Sequence, residues 1–256
     1  MKKILFVCRN YSTPDLNAIT RTTLTKCGML PVDLKAYHTD GYLEDIKLIK
    51  GFIGPGFSEK TLYGEVLAAD VLRACGDWLF VDCEVAVLVF CGHGVSEFSS
   101  KHGSLVASYG QRISSEGVDR SMRQAGFSGT NIRLLNSCEA EGFPAQPEAV
   151  QMTGSAERDS MKTAASPTFG TDSQEVVLTA SGPFGVTKGG QKGSVFVRAL
   201  AKLFKNKTVT YQNIQTLLEQ HYAQATIQQN GQASNALFGS HRGMPSAVSR
   251  CVSSVN

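Results

Sequence analysis

Val85–Phe90 is a run of six apolar residues with no polar break. It has the length of one strand and offers no side that water can face. Such a run predicts a strand covered above and below, as in a parallel sheet with helices on both faces. Ile4–Cys8, Val32–Tyr37, Asn131–Asn136, Val176–Thr179 and Pro245–Val252 read as further strands, and Ser104–Ser108 as part of a small hairpin. Helical spacing recurs between them. Asp15–Cys27 forms one candidate helix. Leu67, Val71 and Ala74 mark a second, with Gly76 at its C-terminal end, and Val118, Met122 and Ala125 a third, capped by Ser114 or Ser115. Phe196, Ala199, Leu200, Leu203 and Phe204 share one helical face, and Ile214, Leu217, Leu218, His221, Tyr222 and Ala225 another. His38–Lys60, rich in glycine, is predicted to be mostly loop. Strands alternating with helices predict one α/β domain over residues 1–256, with a mostly parallel sheet. The expected sheet has about six strands and helices on both faces.

Composition narrows the function. A net charge of +3 with no run of Lys or Arg argues against a dedicated nucleic-acid binder. No stretch reaches the ~18 apolar residues of a membrane span. The opening "MKKILFVCRN" places two lysines before apolar residues, but Arg9 ends that run too early for a secretory signal. It reads as the first strand of an intracellular protein, with a cytoplasmic location expected. The seven cysteines are scattered and odd in number, so no disulfide framework is expected.

The chemistry gathers where two strands end. In parallel sheets, ligands bind beyond the carboxyl ends of the strands. His93 follows the strand ending at Cys91, held between Gly92 and Gly94, and Cys138 follows the strand ending at Asn136. Adjacent strands would bring a thiol and an imidazole to one rim. A thiolate is a nucleophile and histidine exchanges protons near neutral pH, so the pair suits acyl transfer. The backbone N–H groups of Gly94 and Cys138 are the expected oxyanion donors. Cys91, His93 and Cys138 also make three metal-ligand types, but no fourth ligand offers itself, and no metal or cofactor is expected. A nucleotide-binding reading finds no support, because "GPFGVTKGG" fits neither phosphate-loop pattern.

The ordered set of motifs resembles the caspase-like cysteine peptidases, the group of caspases, metacaspases and paracaspases. An apolar strand runs into His93-Gly94 and a second into Cys138, 45 positions later, near the ~50 of caspases. "VVLTASGPFG" followed by "GSVFVRALAKLF" resembles their small-subunit strand and helix, and "MPSAVSRCV" their final strand. The resemblance implies a caspase-like fold with a large-subunit-like part, 1–143, a linker, 144–175, and a small-subunit-like part, 176–256. It implies a thiol protease made as a zymogen, of a group associated with programmed cell death, with Cys138 as nucleophile and His93 as general acid/base acting on a protein or peptide substrate. Asp159, Lys162 and Asp172 are candidate processing points in the linker, which is rich in turn residues. Both a homodimer, as in caspases, and a monomer, as in metacaspases, are compatible with the resemblance; neither nucleic acid nor membrane is an expected partner.

Specificity departs from both patterns. Caspases carry Gln-Ala before the nucleophile, and metacaspases an aspartate two residues before it; here those positions hold Asn136 and Ser137. Lys188 stands five residues before Gly193, as the caspase small-subunit arginine does, and Arg21 matches the other caspase arginine loosely. With Asn136 and Ser181, these residues lean towards an acidic side chain before the scissile bond. The alternatives are a metacaspase-like preference for Arg or Lys and a catalytically inactive regulatory or binding protein.

Overall fold

The computed structural model describes residues 1–9, 41–96, 103–137, 174–180, 192–206, 209, 214, 216–217 and 226–230. The chain enters as β1 (Lys2–Arg9), fully apolar from Ile4 to Cys8, then forms α1 (Tyr42–Ile53) and β2 (Phe57–Gly64). A short helix, α2 (Ala68–Ala74), runs directly into a π turn, Cys75–Leu79, and leads to β3 (Val85–Cys91). Three short strands follow: β4 (Gly94–Ser96), β5 (Gly103–Val106) and β6 (Arg112–Ile113). Then come α3 (Ser115–Gln124), β7 (Thr130–Asn136), β8 (Gln174–Thr179), α4 (Val195–Asn206) and β9 (Thr226–Asn230).

The main sheet has the order β2-β1-β3-β7-β8-β9. Its first five strands are mutually parallel, and β9 pairs antiparallel to β8 at the edge. Alternation along the buried strands splits the core into two layers. Ile4, Phe6, Val87, Val89, Ile132, Leu134, Val176 and Leu178 face α1 and α4. Leu5, Val7, Ala86, Leu88, Phe90, Leu135 and Val177 face α2, the π turn and α3. Helices therefore cover both faces, as the uninterrupted apolar runs require. Phe52 of α1 stacks on Phe204 of α4 at 4.8 Å between ring centres. Ser114 caps α3, accepting from the Gly117 N–H at 3.2 Å. Among the described residues, no helix is long and apolar enough to cross a membrane.

Three expectations need correction. His38–Lys60 is not mostly loop, because α1 and the start of β2 lie inside it. The glycines that hid these elements do not interrupt them: Gly41 precedes the helix, Gly51 lies on its exposed side, and Gly54 and Gly56 turn the chain with positive φ. Gly76 does not end the second helix but lies within the π turn, beside Ser121 of α3. The linker 144–175 loses its last two residues to β8, where Gln174 and Glu175 pair with Thr130 and Asn131. β9 had no counterpart in the sequence reading. The strands expected at Val32–Tyr37 and Pro245–Val252 and the helix at Asp15–Cys27 lie outside the described residues, as does most of the helix expected from Ile214 to Ala225.

Candidate active site

β3 and β7 are neighbours, and their register pairs Cys91 with Asn136. The ladder continues one step further, with the Gly92 N–H donating to the Asn136 carbonyl at 3.3 Å. His93 follows on one strand and Ser137 on the other, and both are buried. The backbone at His93 is fixed from a second side. The Val106 N–H donates to the His93 carbonyl at 2.9 Å, and Gly94 opens β4 in register with Leu105 of β5. The small sheet is anchored in turn by Ser108, whose N–H donates to the Val66 carbonyl and whose hydroxyl accepts from the Val66 N–H, both at 2.8 Å. His93-Gly94 is thus seated at the carboxyl end of the main sheet, where the sequence placed it. Cys138 is the residue after Ser137 and lies outside the described residues, as do Arg21, Ser181, Lys188, Asp159, Lys162 and Asp172.

Asn136 is buried, and its amide is committed. Nδ2 donates to Asp45 Oδ2 at 2.8 Å, while Oδ1 has no hydrogen-bond partner among the described residues. The Ser137 hydroxyl is buried without a described partner too. Buried polar atoms left unmatched are uncommon; Asn131 Oδ1, deeper on β7, is another.

Asp45 is the residue that the sequence reading missed. It lies on the buried side of α1 with Tyr42, Ile49 and Ile53. An acid at helical spacing with three apolar residues is a readable signal, but the glycines of His38–Lys60 predict loop. Its Oδ1 accepts from the Ser194 N–H at 2.7 Å. Gly193, with φ +84°, makes this approach feasible: a Cβ there would come within 2.7 Å of Asp45 Oδ1. Ser194 caps α4, its hydroxyl accepting from the Val197 N–H at 3.1 Å. Burial pushes the Asp45 carboxyl up from 3.8 to about 6, against the opposing pull of hydrogen bonds from Ser194 and Asn136 and the charge of Arg198. Near neutral pH it is a buried anion held by donors from two distant segments.

The neighbouring thiol on β3 is unsuited to attack. Cys91 shares a hydrogen bond with Cys8, its partner in the β1–β3 register. That bond and burial hold its pKa well above the ordinary thiol range. Burial likewise pushes Cys75 up to about 12. Buried thiols of this kind are inert at neutral pH. Among the described residues, no group of three or more His, Cys, Asp or Glu side chains could hold a metal ion.

A second polar cluster lies deeper on β7 and β8. Arg133 of β7 is fully buried and pairs with Asp119 of α3 and, at 2.8 Å, with Glu175 of β8. Ser115 accepts from its Nη1 at 3.0 Å, and Asn131 donates to Glu175 at 2.7 Å. This cluster joins α3, β7 and β8 and takes no part in the rim.

No protein-family model matches the chain, and no curated protein matches it.

Proposed function

We propose that the chain is a cysteine endopeptidase of the caspase-like type. The observation that supports the reading is the β3–β7 register: His93 stands two residues beyond Cys91, Cys138 stands two residues beyond Asn136, and Cys91 and Asn136 are paired. Equal offsets from a paired position are what a nucleophile and its base on adjacent parallel strands require.

In this reading, the Cys138 sulfur attacks the scissile carbonyl as a thiolate. The tetrahedral oxyanion takes hydrogen bonds from the N–H groups of Gly94 and Cys138. On collapse the C–N bond breaks, and His93 in its protonated form gives its proton to the leaving amine. Water, deprotonated by His93, then hydrolyses the thioester and frees the acid and the thiol.

For the residue before the scissile bond, one observation favours the basic alternative over the acidic one. Asn136 donates to Asp45 and to the Cys91 thiol and has an acceptor, Oδ1, unmatched among the described residues. A buried carboxylate and amide oxygen complement a guanidinium or ammonium and repel a carboxylate. Lys188, Arg21 and Ser181 supported the acidic preference from sequence.

A peptide library with a thiol-directed active-site probe tests the proposal. Wild type should cleave peptides and take the probe, and Cys138→Ala should do neither. A wild type that folds but neither cleaves nor labels would favour the inactive regulatory alternative.

A further inference from the structure

Asp45 contacts two places that the chain separates widely. Asn136 is 91 residues away and Ser194 is 149 residues away, and both donate to the one carboxylate. Asn136 is the last residue of β7, two positions before Cys138, and Ser194 is the residue that precedes and caps α4. The contact is built rather than incidental. Gly193 leaves the space, Ser194 offers its backbone N–H, and the carboxylate is almost fully buried. Burying a charge in this way is unfavourable unless fixed donors meet it. Its partner Asn136 closes β7 beside the rim, and that placement points to a task there.

We propose that Asp45 is a positioning residue: its carboxylate ties the end of β7 to the start of α4 and so fixes the segment that carries Cys138. This rests on the reading of Cys138 as nucleophile. Asp45 acts through Asn136, which it holds by the side chain and which leads through Ser137 into Cys138. It also joins the parts of the chain on either side of 144–173.

The tie depends on ionisation. A protonated Asp45 turns one oxygen into a donor, which then faces either Asn136 Nδ2 or the Ser194 N–H, itself a donor. Among the described residues, the charged and titratable groups around it are Arg198 on α4, which holds the charged form, and the Cys91 thiol on β3.

The test uses the full chain and iodoacetamide, a small neutral reagent with no side chain to place in a pocket. The alkylation rate of Cys138 is followed by mass spectrometry from pH 5 to 8 in wild type, Asp45→Asn, Asn136→Ser and the double variant. The expected result is at least a tenfold slower rate in each single variant at pH 7.5. The double variant should be no slower than the slower single one, since both remove the same tie. Wild type should also lose rate near pH 6 more steeply than Asp45→Asn, in which only the fall of the thiolate fraction acts; Asn136→Ser carries the comparison if Asp45→Asn fails to fold. Rates within twofold of wild type in a natively folded Asp45→Asn, or an equally steep fall near pH 6 in that variant, would overturn the proposal. A wild type that neither alkylates at Cys138 nor cleaves peptide overturns the peptidase reading itself, which is a different outcome.

Discussion

Cys91 and Asn136 face each other across β3 and β7, and each is the last residue of its strand. Because the strands are parallel, the segments that leave them emerge at the same end of the sheet. One leads through Gly92 to His93, and the other leads through Ser137 to Cys138. The β4–β6 sheet then prevents His93 from drifting, through the Val106 hydrogen bond to its carbonyl.

Substitution at either end of this arrangement should remove peptidase turnover. Cys138→Ala deletes the nucleophile, and His93→Ala deletes the proton carrier. Nucleophile and base act as a unit, so each loss alone should lower kcat by about three orders of magnitude or more. The double variant should be little worse than either single one. Turnover of a peptide substrate, with melting curves to verify folding, checks this; a His93→Ala variant within tenfold of wild type would remove His93 from the mechanism.

The buried cluster around Arg133 makes a separate claim on stability. Arg133→Met would leave Asp119 and Glu175 buried beside each other, with only the weaker pull of Arg123 on Asp119. Breaking a buried pair by removing one partner costs about 3–5 kcal/mol. Burial already pushes both carboxyls up, with the Arg133 charge pulling each back. Removing that pull should push them further, so the loss should be smaller at pH 5 than at pH 7. Urea unfolding at the two pH values measures it.

Much of this was legible in the sequence, and the illegible parts share a cause. β3, β7 and β8 are buried on both faces, so their apolar runs identify them without context. α3 has a serine cap and regular spacing. β2 lies at the sheet edge, where Ser58, Glu59, Lys60 and Thr61 are exposed, so it lacks the apolar signature of an inner strand. α1 was hidden by glycines that sit at its ends and on its exposed side. Asp45 shows the deeper limit. Spacing marks it as an acid on an apolar helix face, but its partners lie on two other elements, and no local pattern names them.

The buried carboxyl of Asp45 has a pH signature of definite sign. Its value in the folded chain, about 6, is above its ordinary 3.8. Above pH 6 the folded chain carries a buried charge that the unfolded chain hydrates freely, so Asp45 subtracts from stability. As pH falls from about 6 to about 4, the folded state takes up this proton first, and the penalty, about 3 kcal/mol, fades. Asp45→Asn should lack this dependence. Asp119 and Glu175 shift in the same direction, so the difference between wild type and variant, measured by denaturant midpoints at pH 4.5 and pH 7, isolates the effect. A variant with the full wild-type pH dependence would place the titration elsewhere.

Gly193→Ala should damage the same tie from the other side. The position has φ +84°, and the new methyl would meet Asp45 Oδ1 at 2.7 Å. The backbone strain alone costs about 1–3 kcal/mol. Pushing the carboxylate from the Ser194 N–H should add to it and lower turnover as well. Gly193→Ala combined with Asp45→Gly, which vacates the space, should recover part of the lost stability but not the turnover. Thermal melts and peptide turnover on the two variants separate these effects.

Cleavage between β7 and β8 should leave the chain in one piece. The sequence places Asp159, Lys162 and Asp172 in this interval, among turn residues and few large apolar side chains. On either side, Thr130–Leu135 pairs in parallel with Gln174–Thr179. Arg133 reaches Glu175 across that seam, and Asp45 reaches Ser194. A nicked chain would have to give up these contacts and the apolar face of α4 to come apart. Limited digestion with trypsin should therefore yield two fragments, one ending near Lys162, that elute together at native size and separate only in denaturant. Fragments that part under native conditions would show that the strand pairing and the Arg133 and Asp45 contacts do not suffice to hold the two parts together.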